Sequence, residues 1–194
     1  KPITAILDSS SLVPRKLMQL IHWTSDYYHH PLGEVIETAL PGRLRKLQAP
    51  RKKSFSFIKK QVFDTSLAEL DSAKPVLNSA QQEAFDAVKK NAGQFNVFLL
   101  EGVTGSGKTE VYLQLIQNTL DKKQQVLLLV PEISLTPQMV ARLQKRLGDC
   151  IVCSHSGLTE LQRFNSWNII KEGKKLVMVG TRSAVFTPFS ALGL

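Results

Sequence analysis

Residues Gly102 to Thr109 read G-V-T-G-S-G-K-T and satisfy the pattern G-x-x-x-x-G-K-[ST] at each fixed position. Gly102, Gly105 and Gly107 let the backbone turn so that its N–H groups converge on phosphate oxygens, and a helix starting there adds its positive end. In such a loop the Lys108 ammonium reaches the β- and γ-phosphates, and the Thr109 hydroxyl holds Mg²⁺. The chemistry indicated is binding of a nucleoside triphosphate with its metal. A second candidate, the C-x-x-C pair Cys150 and Cys153, has no partner pair to complete a four-ligand zinc site. Both cysteines fall in the strand-like stretch 150–154, where alternation would point them to opposite faces, so they read as structural.

A phosphate loop needs a strand before it and a helix after it. Residues 95–101 (F-N-V-F-L-L-E) form an apolar run of buried-strand type, and residues 110–120 have helix composition. Asn78 or Ser79 caps a helix to about Asn91. Beyond the loop, strands are expected at 125–131, 151–154 and 175–180, with helices at 136–147 and 159–171 between them. Continuous Val and Leu strands separated by helices imply a parallel sheet covered on both faces. Ligands of such sheets bind beyond the carboxyl ends of the strands. The phosphate loop, P-E-I-S-L-T-P-Q (131–138), H-S-G (155–157) and G-T-R-S (180–183) all fall at those ends, which predicts one composite active face.

The first 46 residues read as a small helical unit. Leu17, Leu20, Ile21, Thr24, Tyr27 and Tyr28 share one helix face, His29-His30-Pro31 breaks it, and Leu32, Val35, Ile36, Ala39 and Leu40 form a second stripe. The pair is a helical hairpin or a helix-turn-helix reader. Net charge is +9, and between Arg43 and Lys60 lie eight basic residues and no acidic one. That run suits either a solvated linker or a DNA-contacting segment. Hydrophobic content of 43% is enough for a true core. No apolar run approaches the 18 or so residues of a membrane span, and no signal-type start is present, so the reading is a cytoplasmic chain without a membrane partner.

Taken together, these segments resemble the superfamily 2 helicases, and closely the bacterial replication-restart (primosomal) helicase family. The matching residues are E101-G-V-T-G-S-G-K-T-E-V-Y112, V130-P-E-I-S-L-T-P-Q138, H155-S-G-L-T159 with Arg163 and Trp167, and G180-T-R-S-A-V-F-T-P188. Upstream, L77-N-S-A-Q81 is similar to the family's adenine-reading Q motif. W23-T-S-D-Y-Y-H-H-P-L-G33 and A39-L-P41 resemble the end of its amino-terminal DNA-binding domain. The resemblance implies an α/β fold, a parallel-sheet RecA-like P-loop NTPase lobe over 75–194, preceded by a small helical part of a DNA-binding domain over 1–46. Residues 47–74 would be a basic linker or the remnant of a winged-helix region.

The resemblance also implies site roles. Gln81, Gly102, Thr104, Gly105, Ser106, Gly107, Lys108, Thr109 and Glu110 would hold the nucleotide, with Lys108 and Thr109 catalytic and Thr109 on the Mg²⁺. Pro131, Thr136, Gln138, Ser156, Thr181, Arg182 and Ser183 would face a DNA strand. Hydroxyls, amides and backbone N–H groups at strand ends position phosphates without reading sequence, and Arg182 adds charge. The implied cofactors are ATP and Mg²⁺, with zinc in a part of the parent family whose ligands these residues lack. The implied partners are forked and single-stranded DNA, primosome proteins and single-stranded DNA-binding protein.

Residues 47–74 are too few for the family's winged-helix domain, and its acidic D-E-x-H box and second motor lobe are not among these 194 residues. The expectation is a 3′-to-5′ helicase as the parent protein, with this stretch limited to binding ATP and DNA. Two other classes remain open: a phosphate-loop kinase acting on a metabolite, and a non-catalytic fork-docking module.

Overall fold

The computed structural model describes residues 11–45 and 75–194. The expected linker 47–74 lies outside the described residues, as does the basic run beyond Arg45. Two short helices open the described part: α1, Arg15–Tyr28, and α2, Leu32–Ala39. Helix α1 stops where His29 turns left-handed (φ 52°), and Pro31, which presets its own φ, starts α2. Leu17 and Ile21 of α1 meet Val35 and Ala39 of α2. The one-turn helix α3, Gly42–Arg45, follows Pro41.

Tyr27 and Tyr28, expected on the apolar face, are instead exposed. The buried residues of α2 cover only the Leu17–Ile21 part of α1. The outer rings pack on each other, with Trp23 stacked on Tyr27 at 4.9 Å and Tyr27 edge-on to Tyr28 at 4.9 Å.

From Pro75, apart from residues 95–101, the chain alternates as its periodicity predicts. Helix α4 (Ser79–Lys90) is capped by Asn78, helix α5 (Lys108–Asp121) follows the glycine loop, and strand β1 (Val126–Leu129) follows that. Next come α6 (Pro137–Leu147), β2 (Ile151–Ser154), α7 (Glu160–Lys171) and β3 (Val177–Gly180). The Thr136 and Thr159 side chains cap α6 and α7. The three strands are parallel in the order β1-β3-β2, and every residue of central β3 is buried.

Alternation along the strands separates two layers. Val126, Ile151, Cys153, Val177 and Val179 pack with Leu113, Ile116, Val140 and Leu143 of α5 and α6. Val152 and Met178 pack with Ile170 of α7 and Ala184 on the other face. Both faces are therefore covered, as parallel strands require.

Two expectations fail. Residues 95–101 form no strand, and Phe95, Val97 and Leu99 are exposed. A strand exists only by pairing, and these residues pair with none of the three strands; the outer edge of β1 is instead bonded by residues 191–194. Gln125 accepts from Gly193 N–H (2.8 Å), its own N–H donates to Ala191 O (2.7 Å), and Leu127 N–H donates to Leu194 O (2.9 Å). Cys150 lies before β2 rather than in it, in a 3₁₀ turn where its thiol donates to Leu147 O at 3.0 Å.

The helical unit docks on the lobe through Phe186. This ring sits in the 3₁₀ turn Arg182–Phe186 beyond β3, yet its buried neighbours are Leu17, Ile21, Val35 and Ala39. Phe186→Ala should cost about 3–5 kcal/mol, the usual range for removing a buried phenyl ring. Limited proteolysis should then cut within residues 11–45 while the lobe persists. An unchanged melting curve and cleavage pattern would show that Phe186 does not hold the two parts together.

Candidate nucleotide site and nucleic-acid face

The glycine loop turns as its composition demands. Gly105 and Gly107 both have φ of +83°, a conformation that residues with a Cβ rarely adopt. Gly107 leads directly into α5, and among the described residues Lys108 and Thr109 N–H have no backbone acceptor. These are the free donors of a helix start, where phosphate oxygens bind. The Lys108 ammonium folds back onto the loop, donating to Gly102 O and, at 3.0 Å, to Val103 O. Carbonyls thus hold the cation at the place where an anion would need it. The donor set fits a nucleotide polyphosphate, and the free hydroxyl of Thr109 fits its Mg²⁺.

Gln81 sits beneath the loop. Its Oε1 accepts from Asn78 N–H (3.0 Å) in a capping box, and its Nε2 donates to Ser106 O at 2.9 Å. A Cβ on Gly107 would strike this amide, so the glycine permits the close approach. Thr104, Gly105, Ser106, Gly107, Lys108, Thr109 and Glu110 line one cavity of about 750 Å³. Gly102 lies outside its wall.

That cavity has a second side that sequence reasoning missed. Arg142, Lys145 and Arg146 of α6 face the loop across it. Arg146 donates to Glu110 Oε1 at 2.7 Å, with both side chains largely buried, and Glu110 also accepts from Gln114 Nε2 at 3.0 Å. Glu110 is thus engaged within the chain, clamping the first turn of α5 to α6. The spacing of 142, 145 and 146 on one helix face was the available signal.

The other site residues gather elsewhere. Residues 131–138, 155–156 and 181–183 follow the carboxyl ends of the three strands, and short bonds draw their loops together. Val130 N–H donates to Gly180 O (2.9 Å), Thr181 N–H to Ser154 O (3.2 Å), and the Ser156 hydroxyl to Glu132. Pro131 precedes the 3₁₀ turn Glu132–Ser134, Thr136 caps α6, Gln138 stands exposed in its first turn, and Arg182 and Ser183 are exposed beside Thr181. The expected single face is therefore corrected. Three strand-end loops converge, but the phosphate loop does not extend from a strand of the described sheet, and no residue of those three loops lines its cavity.

The cysteines take no part in either place. No cluster of three potential metal ligands occurs among the described residues. Cys153 is buried on β2, and burial pushes its thiol up from 9.0 to about 11. Burial raises Cys150 too, against partial opposition from its backbone bond and Lys175. Because the folded Cys153 holds its proton more tightly, its contribution to stability is complete below pH 9 and is lost as pH rises toward 11. At pH 8 iodoacetamide should modify Cys153 far more slowly than a free cysteine, and quickly once the protein is unfolded. Fast labelling of the folded chain would contradict this burial.

Comparison with known proteins finds a match for each part of the chain. Residues 74–191 match the family described as type III restriction enzyme, res subunit, and residues 1–41 match a 3′ DNA-binding domain. The replication restart protein PriA of Haemophilus influenzae is 33% identical over 258 residues, covering all of this chain and 35% of that protein. Its counterpart in Bacillus subtilis is 45% identical over 120 residues, covering 61% of this chain and 15% of that protein. The Treponema pallidum protein of the same name is 31% identical over 194 residues, covering all of this chain and 28% of its own length. The chain spans about a third or less of these relatives. It belongs to the family described as type III restriction enzyme, res subunit, and along its whole length it is similar to the replication restart proteins.

Proposed function

We propose that the chain is the first motor lobe, with an attached part of the DNA-binding region, of an ATP-dependent 3′-to-5′ DNA helicase. The parent protein would recognise stalled replication forks and initiate primosome assembly. The observation that carries this reading is a glycine-loop helix start with open N–H donors, together with three converging strand-end loops, in a chain whose amino-terminal residues match a DNA-binding domain. The proposed division is 1–46 for the DNA-binding part, 47–74 for a connecting segment and 75–194 for the lobe.

In this reading the N–H groups of residues 104–109 and the Lys108 ammonium bind the ATP phosphates, and Lys108 leaves its loop carbonyls as they arrive. Thr109 orients the Mg²⁺, which would supply charge neutralisation at the phosphoryl group. Gln81 needs to exchange its bond to Ser106 O for the adenine edge, which couples base recognition to loop geometry. Arg142 and Lys145 add positive potential on the far side of the cavity. Thr136, Gln138, Ser156, Thr181, Arg182 and Ser183 hold phosphates of one DNA strand, and Pro131 shapes the first of those loops. Zinc, primosome proteins and single-stranded DNA-binding protein belong to the parent's wider assembly in the cytoplasm. Among the described residues no helix is long and apolar enough to cross a membrane.

The test is fluorescence anisotropy of labelled fork DNA at two salt concentrations, with and without a non-hydrolysable ATP analogue. Binding should weaken steeply with salt as phosphate contacts release counterions. The analogue should alter affinity for the original chain and not for Lys108→Ala. Arg182→Ala should weaken binding to all sequences alike, with a smaller salt slope. Absence of binding at low salt, in a chain that melts cooperatively, would refute the DNA reading.

A further inference from the structure

Arg163 and Trp167, singled out in the sequence, do no work in the nucleotide cavity or on the strand-end loops. They line a separate cavity of about 320 Å³ between the helical unit and the lobe. The helical unit contributes Thr38, Pro41 and Arg45 to its wall, and the lobe contributes Ser154 and Ser183 from the carboxyl ends of β2 and β3. We propose that this junction cavity receives one nucleobase of a DNA strand lying across the strand ends. The inference rests on the DNA reading of that face.

Chemistry selects the base rather than the backbone. Glu37 pairs with Arg45, while Glu160 and Arg163 stand on the same wall, so carboxylates and guanidinium groups are equal in number. Such a cavity gives a phosphate no net attraction. It suits a neutral planar group whose edge carries both donors and acceptors, which describes a nucleobase. Its size is at the small end for ligand pockets, enough for one such group. Leu40, Pro41, Met178 and Phe186 supply apolar contact for the ring faces.

A second observation points the same way. Trp167 is 5% exposed and its indole Nε1 is buried with no acceptor, one of two such side-chain atoms among the described residues. That nitrogen is closed off from the cavity, so what Trp167 offers a base is the flat surface of its ring. The half-buried Arg163 forms no ion pair among the described residues, so its fork is available for two acceptors on a base edge. Ser183, beside Arg182, makes the cavity continuous with the loop proposed to hold the backbone. A base can therefore leave its stack and enter while its phosphates stay on the strand ends.

The test compares two labelled single strands of equal length, oligothymidine and an all-abasic oligonucleotide, on the full chain. The original chain should prefer the base-bearing strand by at least about fivefold, the lower range for one well-held base. Arg163→Gln and Trp167→Phe should each reduce that preference toward one, leaving affinity for the abasic strand unchanged. Arg163→Gln, on a half-exposed site, guards against loss of fold in the tryptophan variant. Equal weakening of both strands by Arg163→Gln would make the cavity a phosphate site and overturn the proposal. So would normal binding of both strands with the preference untouched by either variant, which would leave the cavity as a mere seam. If neither strand binds, it is the DNA reading of the strand ends that fails.

Discussion

The arrangement depends on β3. Its four residues pair with β1 on one edge and β2 on the other, residue for residue from Val177 to Gly180. Because all three strands run the same way, their carboxyl ends stop together at Leu129, Ser154 and Gly180. The loops proposed for DNA must then emerge side by side. Gly180 marks the tightest point: a Cβ there would lie 2.9 Å from Ser154 O and would collide with the Ala184 side chain. Only a bare backbone lets the G-T-R-S turn pass so close to the end of β2. The buried Gln125 locks the opposite end, donating to Ile170 O at 2.7 Å and accepting from Ser190 N–H (2.8 Å) and Ala191 N–H (3.1 Å). Such a fully bonded polar side chain ties β1, α7 and the last residues into one register.

One loop serves two purposes. The segment after β3 presents Arg182 and Ser183 outward, and four residues later it inserts Phe186 into the core of the helical unit. Any force on the strand-end loops is therefore felt at the junction, and displacement of the helical unit must move the loop. The proposed motor, which would read DNA in one part and move it with another, needs this kind of mechanical continuity. The Glu110–Arg146 pair does the corresponding work beside the glycine loop, fixing the first turn of α5 against α6. Ion pairs of this kind, largely out of water, are strongly destabilising to break from one side, so they define position even where they add little net stability.

Much of this was legible in the residues alone. The caps at Asn78, Thr136 and Thr159, and the termini of α4, α6 and α7, fell within a residue of expectation because capping chemistry is local. The glycine loop was legible for a similar reason: positive φ at positions 105 and 107 is a property of each residue's own backbone. The cation row of α6 was visible as spacing, but its partner Glu110 lies 36 residues away, and only the packing of α5 on α6 brings them together.

The sequence by itself determined the helices other than the one-turn α3, their starts to within two residues, and that a glycine-rich turn sits before α5. Those outcomes follow from interactions spanning four residues or fewer. Tertiary structure decided what pairing and docking decide. It left residues 95–101 outside the sheet despite their strand composition, because β-structure exists only through pairing and these residues pair with no strand. It exposed Tyr27 and Tyr28, because α2 covers only part of α1. It also set Arg163 and Trp167 opposite Pro41 and Arg45 across a cavity, since that juxtaposition is created only when Phe186 seats one folded unit on another.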